Sequence, residues 1–159
     1  MYTSGSTGFP KGVAIRHVNV LNFSEWCRSE YDIKQNDVVT NLNPLFFDNS
    51  IFDIFGGLFN GACLRPFHRF ELLNPNELVK KIKKIKATIW FSVPSLLIFL
   101  LNFKSINKKK ISNLRKIIFG GEGFPKNKLR ELFNLKSVST DLINVYGPTE
   151  TTCICSSYK

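Results

Sequence analysis

The sequence predicts an α/β fold in which helices flank a mostly parallel sheet. Short apolar runs typical of strands alternate along the 159 residues with longer stretches of helical periodicity. The strand candidates are nearly continuous in apolar character, which is typical of strands that are buried on both faces of a parallel sheet. Gly120-Gly121-Glu122 and Gly147-Pro148-Thr149-Glu150 each come just after such a run. Because ligands in open α/β folds bind beyond the carboxyl ends of the strands, we expect the functional site at these turns.

The individual elements follow from apolar periodicity and from helix start and stop signals. Gly61 is a suitable C-terminal glycine for a helix over 49–60. The helix that begins at Pro75 carries its apolar residues on one face and its lysines on the other. The expected strand-like segments are 13–15, 37–42, 62–66, 87–91, 116–119 and 142–146, and the expected helices are 19–31, 49–60, one from Pro75, 94–101 and 129–135, with a basic loop at 108–113.

Composition and charge exclude several classes of protein. Hydrophobic residues make up 43% and charged residues 21%, which is ordinary for a globular domain, and no apolar run reaches the ~20 residues of a membrane span. The net charge is +10, and the positive charge is mostly lysine, with clusters at 80–86 and 108–110. We interpret these clusters as a solvated helix face and a loop and expect no nucleic-acid partner. No signal peptide is visible, and the four cysteines lack metal-ligand spacing. We therefore expect a cytoplasmic protein with reduced thiols.

The first chemical motif lies near the start of the chain and reads Tyr-Thr-Ser-Gly-Ser-Thr-Gly-Phe-Pro-Lys-Gly-Val over residues 2–13. Small residues let a backbone approach an anion closely, hydroxyl and amide groups donate to phosphate oxygens, and a lysine adds a point charge. The segment is not a Walker A loop, because Pro10 stands where a glycine is needed and Lys11 precedes Gly12 rather than Ser or Thr. The pattern indicates a phosphate-binding loop of another kind.

This segment resembles the phosphate-loop signature of the adenylate-forming (AMP-binding) superfamily, and three further segments recur in that family's order. They are Phe-Asp-Asn-Ser at 47–50, Phe-Gly-Gly-Glu at 119–122 and Asn-Val-Tyr-Gly-Pro-Thr-Glu-Thr-Thr at 144–152. The resemblance covers essentially all 159 residues and is greatest to D-alanine–carrier-protein ligases and to nonribosomal peptide synthetase adenylation domains. Gly120 departs from the D-alanine ligases, where a cysteine is expected, and this departure leaves the substrate open.

The resemblance implies a reaction in which a carboxylate attacks the α-phosphate of ATP, giving an acyl-adenylate and pyrophosphate, before a carrier thiol takes the acyl group. It implies that Thr149, Glu150 and Lys11 act in catalysis, with Glu150 also holding Mg²⁺, a cation suited to oxygen ligands. It further implies that Tyr146 stacks on adenine. The nucleotide-binding residues implied in this way are Thr3, Ser4, Gly5, Ser6, Thr7, Gly8, Gly120, Gly121, Glu122, Asn144, Tyr146, Gly147 and Pro148.

Asp48 bears on the substrate class. An amino acid carries an ammonium group that loses water in a pocket, and a buried carboxylate compensates that cost. The alternative is that Asp48 only caps the helix that starts near Ser50. By their position in the family pattern, Asn49, Phe52, Val145 and Cys153 are expected to line the side-chain pocket with Asp48.

The family is considerably longer than this chain, so we expect residues 1–159 to form a partial adenylation domain without the C-terminal subdomain and its catalytic lysine. Two classes of function stay open. The first is amino-acid adenylation by a truncated or split fragment, inactive alone, with a phosphopantetheine carrier protein and a complementary C-terminal fragment as partners. The second is a non-catalytic remnant that binds nucleotide or a partner. Activation of a carboxylic acid without an amino group is a further alternative.

Overall fold

The structure is a computed structural model that describes residues 1–3 and 8–159. A six-stranded sheet has the order β4-β3-β5-β6-β7-β8, in which the first five strands are parallel and β8 runs antiparallel to β7. A separate antiparallel pair is formed by β1 and β2. The strands are β1 (Tyr2–Thr3), β2 (Lys11–Gly12), β3 (Val38–Asn41), β4 (Cys63–Pro66), β5 (Ile89–Ser92), β6 (Lys116–Gly120), β7 (Asp141–Tyr146) and β8 (Ser156–Tyr158).

Helical segments connect the parallel strands. They are α1 (His17–Tyr31), α2 (Asn49–Ile51), which continues as a π-helix (Phe52–Leu58), α3 (Arg69–Leu72), α4 (Pro75–Lys84), α5 (Pro94–Asn102), α6 (Lys126–Leu135) and a 3₁₀ turn (Thr149–Thr151). The Asn74 side chain accepts a hydrogen bond from the Glu77 N–H and so caps α4, and Pro75 occupies its first turn.

Two apolar layers hold the helices against opposite faces of the sheet. On one face, buried side chains of α4, α5 and α6 pack against Trp90, Ile117 and Phe119. On the other face, buried residues of α1 and the π-helix pack against Ile118 and Val145, among others. Consecutive residues of β6 thus enter opposite layers, as the alternation of side chains along a strand requires. The predicted α/β fold with a mostly parallel sheet is confirmed.

Three local predictions differ from the structure. The apolar run at 13–15 forms no strand, and the neighbouring Lys11–Gly12 pairs with Tyr2–Thr3 instead. The helix expected over 49–60 is largely π-helical. The antiparallel strand β8 was not predicted, because Ser156–Tyr158 is short and polar and shows no apolar signal.

A polar network ties together the amino ends of three strands. The Arg115 guanidinium donates to both carboxylate oxygens of Asp37, from Nε at 2.8 Å and from a terminal nitrogen at 2.6 Å. The Thr88 hydroxyl donates to the same carboxylate at 2.7 Å. Burial opposes the charged form of Asp37, but these hydrogen bonds outweigh it and hold its pKa below the usual range. The network joins segments 78 residues apart at the edge of the sheet that carries no site motif.

Within the part of the chain that the structure describes, no helix has the length and apolar character needed to cross a bilayer.

Candidate active site

A cavity of about 500 Å³ lies at the carboxyl ends of β3, β5, β6 and β7. Its volume is within the range of small-molecule sites. The strand order reverses between β3 and β5, since β4 lies on one side of β3 and β5 on the other. Such a reversal opens a crevice for ligands in open α/β sheets. The cavity thus lies at the edge of the sheet where the sequence predicts the site.

Eight of the residues predicted to bind nucleotide or substrate line this cavity. Three follow β6 directly or end it, two begin the helix after β3, and three belong to β7 or the segment after it. They are Gly120, Gly121, Glu122, Asp48, Asn49, Val145, Gly147 and Cys153.

Two of the lining glycines allow close packing at the cavity wall. A Cβ atom on Gly120 would lie 2.3 Å from the carbonyl oxygen of Val145, and one on Gly147 would lie 2.2 Å from the carbonyl oxygen of Cys153. Both distances are far below van der Waals contact. The resemblance to D-alanine ligases leads us to expect a cysteine at position 120. In this chain, the Cβ of such a cysteine would clash with β7.

Asp48 lies half-buried at the cavity, and its side chain makes no hydrogen bond to the amide groups of the helix it precedes. Its Oδ2 instead accepts a hydrogen bond of 2.6 Å from the Thr149 hydroxyl. The capping alternative therefore has no support in the geometry. The hydrogen bond places the residue predicted to meet the substrate ammonium next to the residue predicted to contact the α-phosphate.

Glu122 faces the cavity from the turn after β6. Its Oε2 accepts a hydrogen bond of 3.0 Å from the backbone N–H of Ser95, in the first turn of α5. A carboxylate at this end of a helix interacts favourably with unpaired N–H groups and with the helix dipole. The contact joins the β6 turn to α5 and fixes one wall of the cavity.

Asp53 was not predicted, although it is the centre of a buried network behind the cavity. Its Oδ2 accepts hydrogen bonds from the Asn41 amide at 3.0 Å and from the Asn43 amide at 3.1 Å, while Oδ1 has no partner among the described residues. The Asn43 amide also donates to the carbonyl oxygen of Phe91 at 3.1 Å, and both Asn43 and Phe91 line the cavity. Burial raises the pKa of Asp53 to about 8 against the opposing effect of these hydrogen bonds. In the sequence, an acidic residue within the apolar run 51–55 is the feature that could have indicated a buried carboxylate at this position.

Cys153 contributes a neutral thiol to the cavity wall. Burial, with a smaller effect from the charge of Asp48, raises its thiol pKa well above the usual value. Thr152 and Cys153 both have positive φ angles, 74° and 133°, a conformation that side chains rarely adopt. These two residues turn the chain from the 3₁₀ turn towards β8, so that Cys153 meets the cavity with Ile154.

The remaining predicted residues lie elsewhere. Phe52 does not line the cavity, because its ring is fully buried and packs edge-on against Phe91 with the ring centroids 4.9 Å apart. Asn144 lines a separate groove beside α6, and Tyr146 is 67% exposed. Other predicted positions are on the protein surface or close to it, namely Thr3, Gly8, Lys11, Pro148 and Glu150. The predictions for Ser4, Gly5, Ser6 and Thr7 fall outside the described residues.

Glu150 is the residue predicted to hold Mg²⁺. Within residues 1–3 and 8–159, no three His, Cys, Asp or Glu side chains are grouped so as to hold a metal ion. Mg²⁺ commonly binds one or two carboxylates and takes its other ligands from substrate phosphates and water. An exposed Glu150, beside Thr149, fits such a role.

An open, mostly parallel sheet with a ligand-sized cavity at its reversal point is typical of α/β domains that bind a small molecule at the carboxyl ends of their strands. The model of the AMP-binding enzyme family matches residues 1–159, and the chain belongs to that family.

Two curated relatives are carrier-protein ligases. The L-proline–[L-prolyl-carrier protein] ligase of Streptomyces coelicolor is 38% identical over 159 residues, which are 100% of this chain and 30% of that protein. The D-alanine–D-alanyl carrier protein ligase of Bacillus cytotoxicus is 32% identical over 157 residues, which are 99% of this chain and 31% of that protein. The chain therefore spans about 30% of the length of these relatives.

Solved structures are similar over 99% of the chain. The Vibrio cholerae adenylation domain AlmE, in complex with glycyl-adenosine-5′-phosphate, matches with a TM-score of 0.88 at 29% identity over 29% of its own length. The AMPPNP-bound form of the nonribosomal peptide synthetase FmoA3 matches with a TM-score of 0.84 at 28% identity over 17% of its length. Both the predicted family and its resemblance to carrier-protein ligases and peptide synthetases are confirmed.

Proposed function

We propose that this chain carries the amino-acid side of an adenylation site. In the proposed reaction the substrate carboxylate attacks the α-phosphate of ATP, an aminoacyl-adenylate forms, and pyrophosphate leaves. A carrier-protein thiol then takes the aminoacyl group, and AMP is released. Membership of the AMP-binding enzyme family and the similarity to two carrier-protein ligases support this proposal.

The observation that carries the proposal is the contact between Asp48 and Thr149. The Asp48 carboxylate has no cationic partner among the described residues and faces a largely apolar cavity, which suits an ammonium group, since a buried charge needs an opposite charge or hydrogen bonds. The Thr149 hydroxyl, 2.6 Å from that carboxylate, is close enough for one small molecule to meet both residues. An amino acid joined to a phosphate has this combination of groups.

The other residues take the roles that the resemblance implies. Tyr146 exposes an aromatic face that is available for stacking on adenine. Thr3, Lys11 and the segment between them would contact the outer phosphates, and Glu150 would hold Mg²⁺. The ion, when bound, would neutralise charge on the phosphates.

We expect the 159-residue chain to lack turnover when it is alone, because the catalytic lysine that the resemblance implies is not among its identified motifs. The loss of a group that stabilises developing charge costs about 10²–10³-fold in rate. Turnover would then require a segment that carries this lysine, either in the same longer chain or in a separate C-terminal fragment.

The test is amino-acid-dependent exchange of pyrophosphate into ATP. It is measured with the chain alone and with the product of any neighbouring gene that encodes a complementary segment. Exchange only in the mixture is the expected result. Robust exchange by the chain alone would refute the requirement for a second part, and no exchange in any mixture would favour a non-catalytic remnant.

The variant Asp48→Asn separates the substrate classes. Loss of the charge should weaken amino-acid binding by ~2–5 kcal/mol, because the ammonium group is left without its partner. The dissociation constant for ATP should change by less than about threefold, or ~0.7 kcal/mol. Asp32→Asn is the matched control, since Asp32 is exposed at the end of α1 and does not line the cavity. Unchanged amino-acid affinity in Asp48→Asn would reopen acids that carry no amino group.

A further inference from the structure

The charges that line the cavity are unevenly distributed. Of the described residues in its wall, only Asp48 and Glu122 carry a charge, and both are acidic. Glu122 is engaged with the backbone N–H of Ser95. The described wall therefore offers no cation to an acidic substrate side chain, and each of its two carboxylates already accepts a hydrogen bond, Asp48 from Thr149 and Glu122 from Ser95.

Two neutral polar side chains of the wall, those of Asn43 and Ser92, already make hydrogen bonds. The Asn43 amide donates to Asp53 and to the Phe91 carbonyl oxygen, both at 3.1 Å. The Ser92 hydroxyl accepts from the Trp90 indole at 2.7 Å and donates to a backbone carbonyl oxygen at 3.1 Å. A polar substrate side chain that met Asn43 or Ser92 would have to break these hydrogen bonds, which costs free energy.

Most of the described side chains in the cavity wall are apolar. Phe91, Val145, Cys153 and Ile154 line the cavity and also belong to the buried layer between the sheet and α1. The Cys153 thiol lies near enough to Asp48 to respond to its charge. This part of the wall thus consists of an aromatic ring, aliphatic side chains and a thiol, to which Asn49 adds one amide group.

From this arrangement we infer that the amino acid activated at this site has an uncharged, apolar side chain. The inference rests on the proposed function and adds the substrate class. An apolar side chain gains from contact with this wall. A charged side chain of equal length would lose its water without gaining a partner.

The test is equilibrium binding of aminoacyl sulfamoyl adenosines, in which a sulfamate replaces the reactive phosphate, to the 159-residue chain. Norleucyl, lysyl and glutamyl compounds are compared by calorimetry at pH 7.5, each as both enantiomers, with unacylated sulfamoyl adenosine as the reference. Norleucine and lysine have similar chains that differ in the terminal ammonium group. We expect one norleucyl enantiomer to bind at least tenfold more tightly than either enantiomer of the lysyl and glutamyl compounds.

Equal binding of the three aminoacyl compounds, or tighter binding of a charged one, would overturn the apolar specificity and leave the amino-acid site standing. If no aminoacyl compound binds more tightly than unacylated sulfamoyl adenosine, the proposed function itself fails and the inference fails with it. The two failures are therefore distinguishable in one titration series.

A variant at the wall provides a second reading. Val145→Thr replaces a methyl group by a hydroxyl of similar size and should lower norleucyl affinity at least about fivefold, while lysyl and glutamyl affinities change little. Val138→Thr is the matched control, because Val138 is fully exposed and does not line the cavity. Thermal melting of both variants checks that the fold is retained. Unchanged norleucyl affinity in a folded Val145→Thr protein would contradict the contact with this wall.

Discussion

Asp53 should give this protein a distinctive dependence of stability on pH. The folded-state pKa of about 8 lies far above the ~3.9 of an unfolded aspartate. The folded protein therefore binds one more proton than the unfolded chain between these values. The contribution of the protonated Asp53 to the free energy of unfolding is therefore fully present below about pH 4 and is lost as the pH rises through 8.

The perturbation is Asp53→Asn, which keeps the shape of the side chain and removes the titration. In the wild type, the contribution of Asp53 to the free energy of unfolding should decrease by up to ~1.4 kcal/mol for each pH unit in this window. Between pH 5 and pH 7 the wild type should thus lose up to about 3 kcal/mol relative to Asp53→Asn. The free energy of unfolding of Asp53→Asn also differs from that of the wild type by an amount that does not depend on pH. The reason is that the amide nitrogen occupies the position of Oδ1, which has no partner among the described residues.

The measurement is urea unfolding followed by tryptophan fluorescence at pH 5, 6, 7 and 8, since Trp90 is buried and reports on the core. Asp37→Asn serves as a control whose titration lies below this pH range, so its stability profile should run parallel to that of the wild type from pH 5 to pH 8. The pKa of Asp37 is lowered in the folded state, so its stabilisation is present above the unfolded pKa and is lost as the pH falls through the lower folded value. Parallel stability profiles for wild type and Asp53→Asn between pH 5 and 8 would show that the amides of Asn41 and Asn43 accommodate the charged carboxylate. Burial would then not raise the pKa of Asp53 as expected.

Two further predictions concern packing and the buried ion pair. Gly120→Ala should destabilise the protein by ~1–3 kcal/mol, because its Cβ would lie 2.3 Å from the Val145 carbonyl oxygen. Gly123→Ala has open space around its Cβ and should melt like the wild type, and equal melting temperatures for the two variants would contradict the predicted clash. Arg115→Lys should lower the free energy of unfolding by about 2–4 kcal/mol in urea titrations, since a lysine cannot form the bidentate hydrogen bonds that Arg115 makes with the buried Asp37. A change below ~0.5 kcal/mol would show that the ion pair contributes little to stability.

Strand and helix positions could be predicted where apolar periodicity was strong. The run at 116–119 became β6, one residue longer, and the helix from Pro75 has its apolar face buried. The same reasoning failed at β8, whose Ser156–Tyr158 pairs with β7 through backbone groups that leave no apolar pattern. It also failed at 13–15, where an apolar run found no neighbouring strand.

The site could be predicted only as far as motifs follow strand ends. Glu122 and Gly147 were placed correctly at the cavity, because a residue just after a parallel strand must lie at the edge of the sheet. Phe52 was expected in the pocket, but its orientation depends on how the π-helix packs, and the sequence pattern does not specify that packing. Asp53 was missed for the same reason, since its partners Asn41 and Asn43 lie in a different segment.

The hydrogen bond between Asp48 and Thr149 joins residues 101 positions apart. Every described residue in the cavity wall belongs to the 42–154 region, and each wall segment is held by the sheet or by buried helices. In the proposed function, recognition of the amino acid would require the packing of these segments, and turnover would need further groups beyond them. A chain that binds an aminoacyl-adenylate analogue selectively and yet exchanges no pyrophosphate would have this division of roles. In a reconstituted enzyme, Asp48→Asn should abolish both the selective binding of the aminoacyl-adenylate analogue and the exchange of pyrophosphate. That result would place the substrate ammonium at the contact between Asp48 and Thr149.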